Sequence, residues 1–125
     1  MYYEIRMAIG HHRSDGEPLP SDRVEAAIKQ GLLKLTDLFS GGRLHDCKGG
    51  YKSIDGHCVL ESCSLFTADA EDVRESDWTK LLIIASEIAT DLEQECVLIT
   101  IQRVDGTMYW VKPDASTGEW DEQAA

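Results

Sequence analysis

Residues 43–68, RLHDCKGGYKSIDGHCVLESCSLFTA, lie between two helical patterns and read as two strands joined at Asp55-Gly56. Asp-Gly between two such runs is a strong signal for a two-residue hairpin turn. With those residues as the turn, paired positions sum to 111, so Ile54 faces His57, Lys52 faces Val59 and Cys47 faces Ser64. Gly49 and Gly50 fall inside the first strand and suggest a bulge or a close backbone approach.

A strand and a helix precede this hairpin. Tyr3, Ile5, Met7 and Ile9 alternate with Tyr2, Glu4, Arg6 and Ala8, the period of a half-buried strand. Gly10 to Pro20 is a polar loop of eleven residues, long for a compact domain and therefore mobile or functional. Val24, Ile28, Leu32, Leu35 and Phe39 then form one apolar helical stripe. Ser21 or Asp22 would cap that helix, Asp22 with Glu25 in the manner of a capping box, and Gly41-Gly42 would stop it.

Downstream, a second helix starts near Ser76 or Asp77 with Trp78, Leu81, Leu82, Ala85, Ile88, Ala89 and Leu92 on its apolar face. Asp91, Glu93 and Glu95 lie at its end, where carboxylates oppose the helix dipole. Either something other than helix stability retains them, or they are there by chance. Cys96 to Val104 is the next strand, and Asp105-Gly106 turns it into Met108 to Lys112. Those pairs sum to 211, with Trp110 opposite Ile101 and Tyr109 opposite Gln102.

The order is β-α-β-β-α-β with one extra C-terminal antiparallel strand. Right-handed crossovers then place both helices on one sheet face, leaving the other open. This is an α+β, ferredoxin-like sandwich spanning residues 1–113, followed by an acidic flexible tail, 114–125.

The chain has 125 residues, 23 acidic and 12 basic, for a net charge of −11. Residues 1–68 sum to −1, residues 69–95 to −7, residues 96–113 to +1 and the tail to −4. Such a balance argues against direct binding to nucleic acid or to an anionic membrane. The N-terminus has neither a basic start nor a long apolar core, so no signal peptide is expected and the protein reads as cytoplasmic. Cys47, Cys58, Cys63 and Cys96 are then expected to be reduced thiols.

No catalytic signature stands out, and the expectation is a non-enzymatic protein. His11, His12, His45, His57, Cys47, Cys58 and Cys63 are metal-ligand types, but none has the spacing of a zinc site, so no metal is expected. A Cys–His nucleophile pair meets the same objection: neighbours such as His57 and Cys58 point to opposite faces of a strand. Neither GxGxxG nor a P-loop is present, and no cofactor is expected. Tyr2, Tyr51, Tyr109 or Trp110 could stack on RNA bases, but no basic stripe accompanies them. The acidic segment remains: Glu71, Asp72, Glu75, Asp77, Glu87, Asp91, Glu93 and Glu95 would meet a basic groove on a partner, with solvated, solubilising charge as the plainer alternative.

The stretches GGRLHDCKGGYKSIDGHCVLESCSLF and ATDLEQECVLITI resemble small ferredoxin-like proteins of phages and mobile elements. That resemblance implies a protein that binds and blocks host machinery. The leading expectation is an anti-CRISPR-like inhibitor whose acidic face occupies the basic site of a nucleic-acid-handling host defence complex. The alternative is a small-ligand or metal-binding domain with a His/Cys/Tyr pocket between the open sheet and the Gly10–Pro20 loop, centred on His11, His12, His45 and Tyr51. A homodimer through the open sheet face is a third reading.

Overall fold

A computed structural model describes residues 2–13, 16–52, 55–105, 107–111 and 120–124, with the backbone alone for Tyr51, 107–111 and 120–124. The elements run β1 (Tyr2–Gly10), α1 (Ser21–Phe39), β2 (Arg43–Lys52), β3 (Cys58–Ala70), α2 (Glu75–Asp91), β4 (Leu98–Val104), β5 (Thr107–Val111) and β6 (Trp120–Ala124). The first four strands form one antiparallel sheet in the order β2-β3-β1-β4. With two helices packed on it, the chain is an α+β fold of the ferredoxin-like type. No helix among the described residues is long and apolar enough to cross a membrane.

The alternation in β1 dictates the layering. Ile5, Met7 and Ile9 are all buried, and their register partners continue the same face. Met7 lies between Phe66 of β3 and Ile99 of β4, and Ile5 between Ala68 and Ile101. Ala27, Ile28 and Leu35 of α1 and Leu81, Ile84, Ala85 and Ile88 of α2 close the core from above. Full burial of side chains of this size contributes about 1.5–3 kcal/mol each. A Cβ on Gly31 would stand 3.3 Å from the Phe66 ring and closer still to Ile88, so glycine lets the helices approach there.

Several expectations need correction. On α2 Ile84 is buried as well, while Trp78 and Leu82, expected on the apolar face, are exposed. Pro20, not Ser21 or Asp22, stands at the N-cap of α1, consistent with a proline's fixed φ. The residue that stops α1 is Ser40, at φ 64°, one position before the glycines. The α2 start does carry a reciprocal contact, the Arg74 amide donating to Asp77 at 3.1 Å.

The largest correction is the β2–β3 register. Paired positions sum to 110, with Lys52 opposite Cys58 and Cys47 opposite Cys63. Gly56 does take a positive φ of 90°, but the described pairing ends at Lys52 and Cys58, and Ile54, expected opposite His57, lies outside the described residues. The physical reason is the hydrophobic pattern. The observed register sets Leu44 against Phe66, whereas a sum of 111 would set it against Thr67. One consequence is that Cys47 and Cys63, with Cα atoms 5.1 Å apart, are joined as a disulfide instead of remaining thiols. Cys58 and Cys96 are free and exposed.

β5 also differs from expectation. It pairs with β6 in a separate two-stranded sheet, Trp110 opposite Asp121 and Tyr109 opposite Glu122, and not with β4. The β6 strand lies within the acidic terminal stretch; residues 112–119 lie outside the described residues.

Candidate functional site

Alternation carries past the end of β1. Ile9 points into the helix layer, Gly10 away from it, and His11 back toward it. There the sheet is no longer covered by a tight core, and a cleft of about 590 Å3 opens between α1, the Gly10–Pro20 loop and the adjoining parts of β2 and β3. Leu19, Val24, Ile28, Leu32 and Leu44 supply its apolar wall. His11, His12, Glu25, Lys29, Asp46 and Ser64 bring polar groups to it. A largely apolar cleft with a few convergent polar groups is the usual form of a small-molecule site, and roughly 300–1,000 Å3 is the usual size.

Backbone hydrogen bonds hold the described residues of the loop that carries both histidines. The His11 amide donates to the Ser62 carbonyl at 3.1 Å, and the Leu19 amide to the His11 carbonyl at 3.1 Å. His12 bridges Pro18, and the Arg13 amide donates to Glu17 at 2.8 Å. Gly16 turns the loop at φ 87°, and buried Leu19 pins its far end.

His11 Nε2 lies 2.8 Å from Ser64 Oγ, a hydroxyl that is 1% exposed. Burial pushes the His11 imidazole below its ordinary value of 6.5; Asp46 and Glu61 pull against that shift, and His12 adds to it. The ring is therefore neutral at pH 7, with one nitrogen to donate and one to accept. His12 Nδ1 is buried with no hydrogen-bond partner among the described residues.

This cleft lies on the helix side of the sheet, which corrects the expected pocket on the open side. His11 and His12 belong to it. His45 shares the opposite face with Cys47 and Cys63 and does not line it. The Tyr51 side chain lies outside the described residues. His57 sits at the exposed hairpin end, 3.7 Å from Asp55. Among the described residues, no group of three or more His, Cys, Asp or Glu is placed to hold a metal ion. Ser64, Asp46, Glu25 and Lys29 are not among the site residues expected from the sequence. Their available signal is polarity on an inward strand or helix position: Ser64 alternates with buried Phe66 and Ala68.

Four of the eight acidic residues have partners within the chain. Asp77 caps α2, Glu87 pairs with Lys34 of α1, and Glu93 accepts from Arg13 at 3.2 Å and Arg23 at 2.8 Å. Asp72 accepts from the neighbouring Val73 amide at 2.9 Å. Glu71, Glu75, Asp91 and Glu95 are exposed.

No family model matches the chain, and no curated protein sequence matches it. Solved structures of similar fold do. A phage SAM lyase in complex with S-methyl-5'-thioadenosine superposes with a TM-score of 0.63 at 20% identity, over 82% of this chain and 81% of that one. A phage SAM lyase in its apo state gives 0.58 at 21%, over 80% and 78%. The periplasmic divalent cation tolerance protein CutA from Archaeoglobus fulgidus gives 0.50 at 11%, over 85% and 86%. At these identities the likeness is one of fold, and the fold is one that phage proteins carry. It also corrects the expectation of a non-enzymatic protein, since this architecture houses an enzyme in the phage SAM lyase. Short motifs are a poor guide here because the cleft's polar groups come from four separate elements.

Proposed function

We propose that this chain is an enzyme that binds S-adenosylmethionine in the α1 cleft and cleaves it to S-methyl-5'-thioadenosine. The observation that supports this is the His11–Ser64 pair, held neutral by burial beside an apolar cleft of ligand size. The likeness to the phage SAM lyase supplies the ligand class.

The chemistry asks little of a protein. The sulfonium sulfur is already an activated leaving group. Its bond to the aminocarboxypropyl chain breaks, the electron pair goes to sulfur, and a neutral thioether leaves. The remaining carbon chain either closes through its own carboxylate or loses a proton to a base. Leu19, Val24 and Ile28 take the adenosine and exclude water. Asp46 and Glu25 face the sulfonium and ammonium charges, and Lys29 the carboxylate. His11, neutral and oriented by Ser64, is the base that the proton-loss route requires.

The test is incubation of the purified chain with S-adenosylmethionine, with products resolved by chromatography and mass spectrometry. S-methyl-5'-thioadenosine is expected, with a loss of about hundredfold or more in Asp46→Asn. A lactone co-product assigns His11 to positioning, and an unsaturated amino acid assigns it to proton removal. If neither compound binds and no thioether forms, the proposal is wrong.

A further inference from the structure

We propose that Glu93 and Gln94, the turn leaving α2, are positioning residues that clamp the histidine-bearing loop over the cleft. The clamp itself is geometric; its consequence for ligand binding rests on the reading of that cleft given above. Glu93 sits at φ 52°, where a glycine would rest with less strain. Its carboxylate nevertheless takes Arg13 from the loop and Arg23 from the first turns of α1. Exposed ion pairs of this kind contribute little to folding, so stability does not explain a glutamate in that conformation.

Gln94 completes the arrangement. Its amide N–H donates to the Ala89 carbonyl at 2.8 Å, which ties the residue to the helix end. Its side-chain Nε2 then donates to the His12 carbonyl at 2.7 Å and to the Leu92 carbonyl at 2.9 Å. The peptide it holds, between His12 and Arg13, directly follows the two histidines, so displacing it moves both rings. Gly10 leaves the space for this: a Cβ there would stand 2.9 Å from Gln94 Oε1 and 2.6 Å from Glu61 Oε1. The turn after α2 thus ties down the loop and the start of α1, 70 to 82 positions earlier in the chain. The carboxylate of Glu93 at an unfavourable helix end is accounted for by the same contacts.

The test uses Glu93→Gly and Gln94→Ala in the full chain, with Glu93→Gln as the conservative variant. Three readouts are taken: thermal midpoint, amide hydrogen exchange across residues 11–19, and the NMR titration of His11. In Glu93→Gly the thermal midpoint is expected to hold or rise, because the backbone relaxes. Exchange in the loop is expected to accelerate about tenfold or more, and His11 to titrate higher, toward 6.5. Glu93→Gln, which keeps an acceptor for the arginines, should fall between. Loop exchange and His11 titration that match wild type in both Glu93→Gly and Gln94→Ala overturn the clamp. Affinity for S-methyl-5'-thioadenosine is measured in parallel and should weaken about tenfold in both variants. If wild type itself does not bind it, the functional reading fails while exchange and titration still decide the clamp.

Discussion

Both helices end on a non-glycine residue in the left-handed region, Ser40 after α1 at φ 64° and Glu93 after α2 at φ 52°. Each costs about 1–2 kcal/mol relative to a relaxed backbone. After α1 the chain meets Gly41 and Gly42 at once, and Ser40 is exposed, with no side-chain partner among the described residues. After α2 the same conformation carries a side chain bound by two arginines and leads into Gln94, which holds the His12 carbonyl. One end is only a stop. The other is a stop wired to the cleft. Exposed ion pairs contribute about 0.2–1 kcal/mol each, so the arginines at best offset the backbone cost. Identical backbone strain therefore says nothing about role until the side chain's partners are known.

The contrast can be broken outright by removing what the two helices share. Phe66 is fully buried, and its ring edge reaches the point where Gly31 of α1 meets Ile88 of α2. Phe66→Ala should cost about 3–5 kcal/mol in urea unfolding and loosen both helix ends alike. A loss below about 1 kcal/mol would mean that the helices do not rest on it.

Acid should act on the cleft side alone. His11 titrates below its ordinary 6.5 in the folded chain, so the unfolded chain binds the proton first. The stability held by neutral His11 is complete above about 6.5 and is lost as pH falls through the lowered folded value. His11→Gln should flatten that part of the stability profile between pH 8 and 5. An unchanged slope would assign the acid sensitivity to other groups.

The smallest effect sharpens the comparison most. Ser40→Gly should stabilise by about 0.5–1 kcal/mol and leave hydrogen exchange at residues 11–19 as it is in wild type. A Ser40→Gly variant that speeds exchange there would show that the α1 end is wired to the cleft too.

Much of the fold is legible in the sequence because one buried face imposes a period. Tyr3 to Ile9 alternate since only one side of β1 meets the helices, and the stripe from Val24 to Phe39 is the matching side of α1. The β2–β3 register is not legible from its turn. Asp55-Gly56 outweighs every other local signal in a reading by residue pairs. Yet the chain aligns Leu44 with Phe66, a preference that exists only once the core is assembled. On α2, Leu82 satisfies the helical period locally, but the crossing with α1 buries Ile84.

The site was half visible. A loop of eleven residues with two histidines is conspicuous, and both face the cleft. Asp46, Ser64 and Glu25 are ordinary polar residues until the fold brings them to one wall. Glu93 was conspicuous for a different reason. Its charge sits badly at a helix end, and the arginines that settle it are 70 and 80 positions away in the chain.

The register of the β2–β3 hairpin has one more consequence, for which insertions and deletions the gene can tolerate. Odd-numbered positions there carry the cross-linked cysteines on the back of the sheet, and even-numbered positions carry Asp46, Ser62 and Ser64 on the front. Front and back are told apart by parity alone. Codons added between the paired ends Lys52 and Cys58 leave parity intact. A single codon lost between Val59 and Ser62 leaves the downstream half of β3 bound to β1 and turns the hairpin's distal end over. Length variation among descendants of this gene should therefore gather in the connection and be scarce in the strands on either side of it.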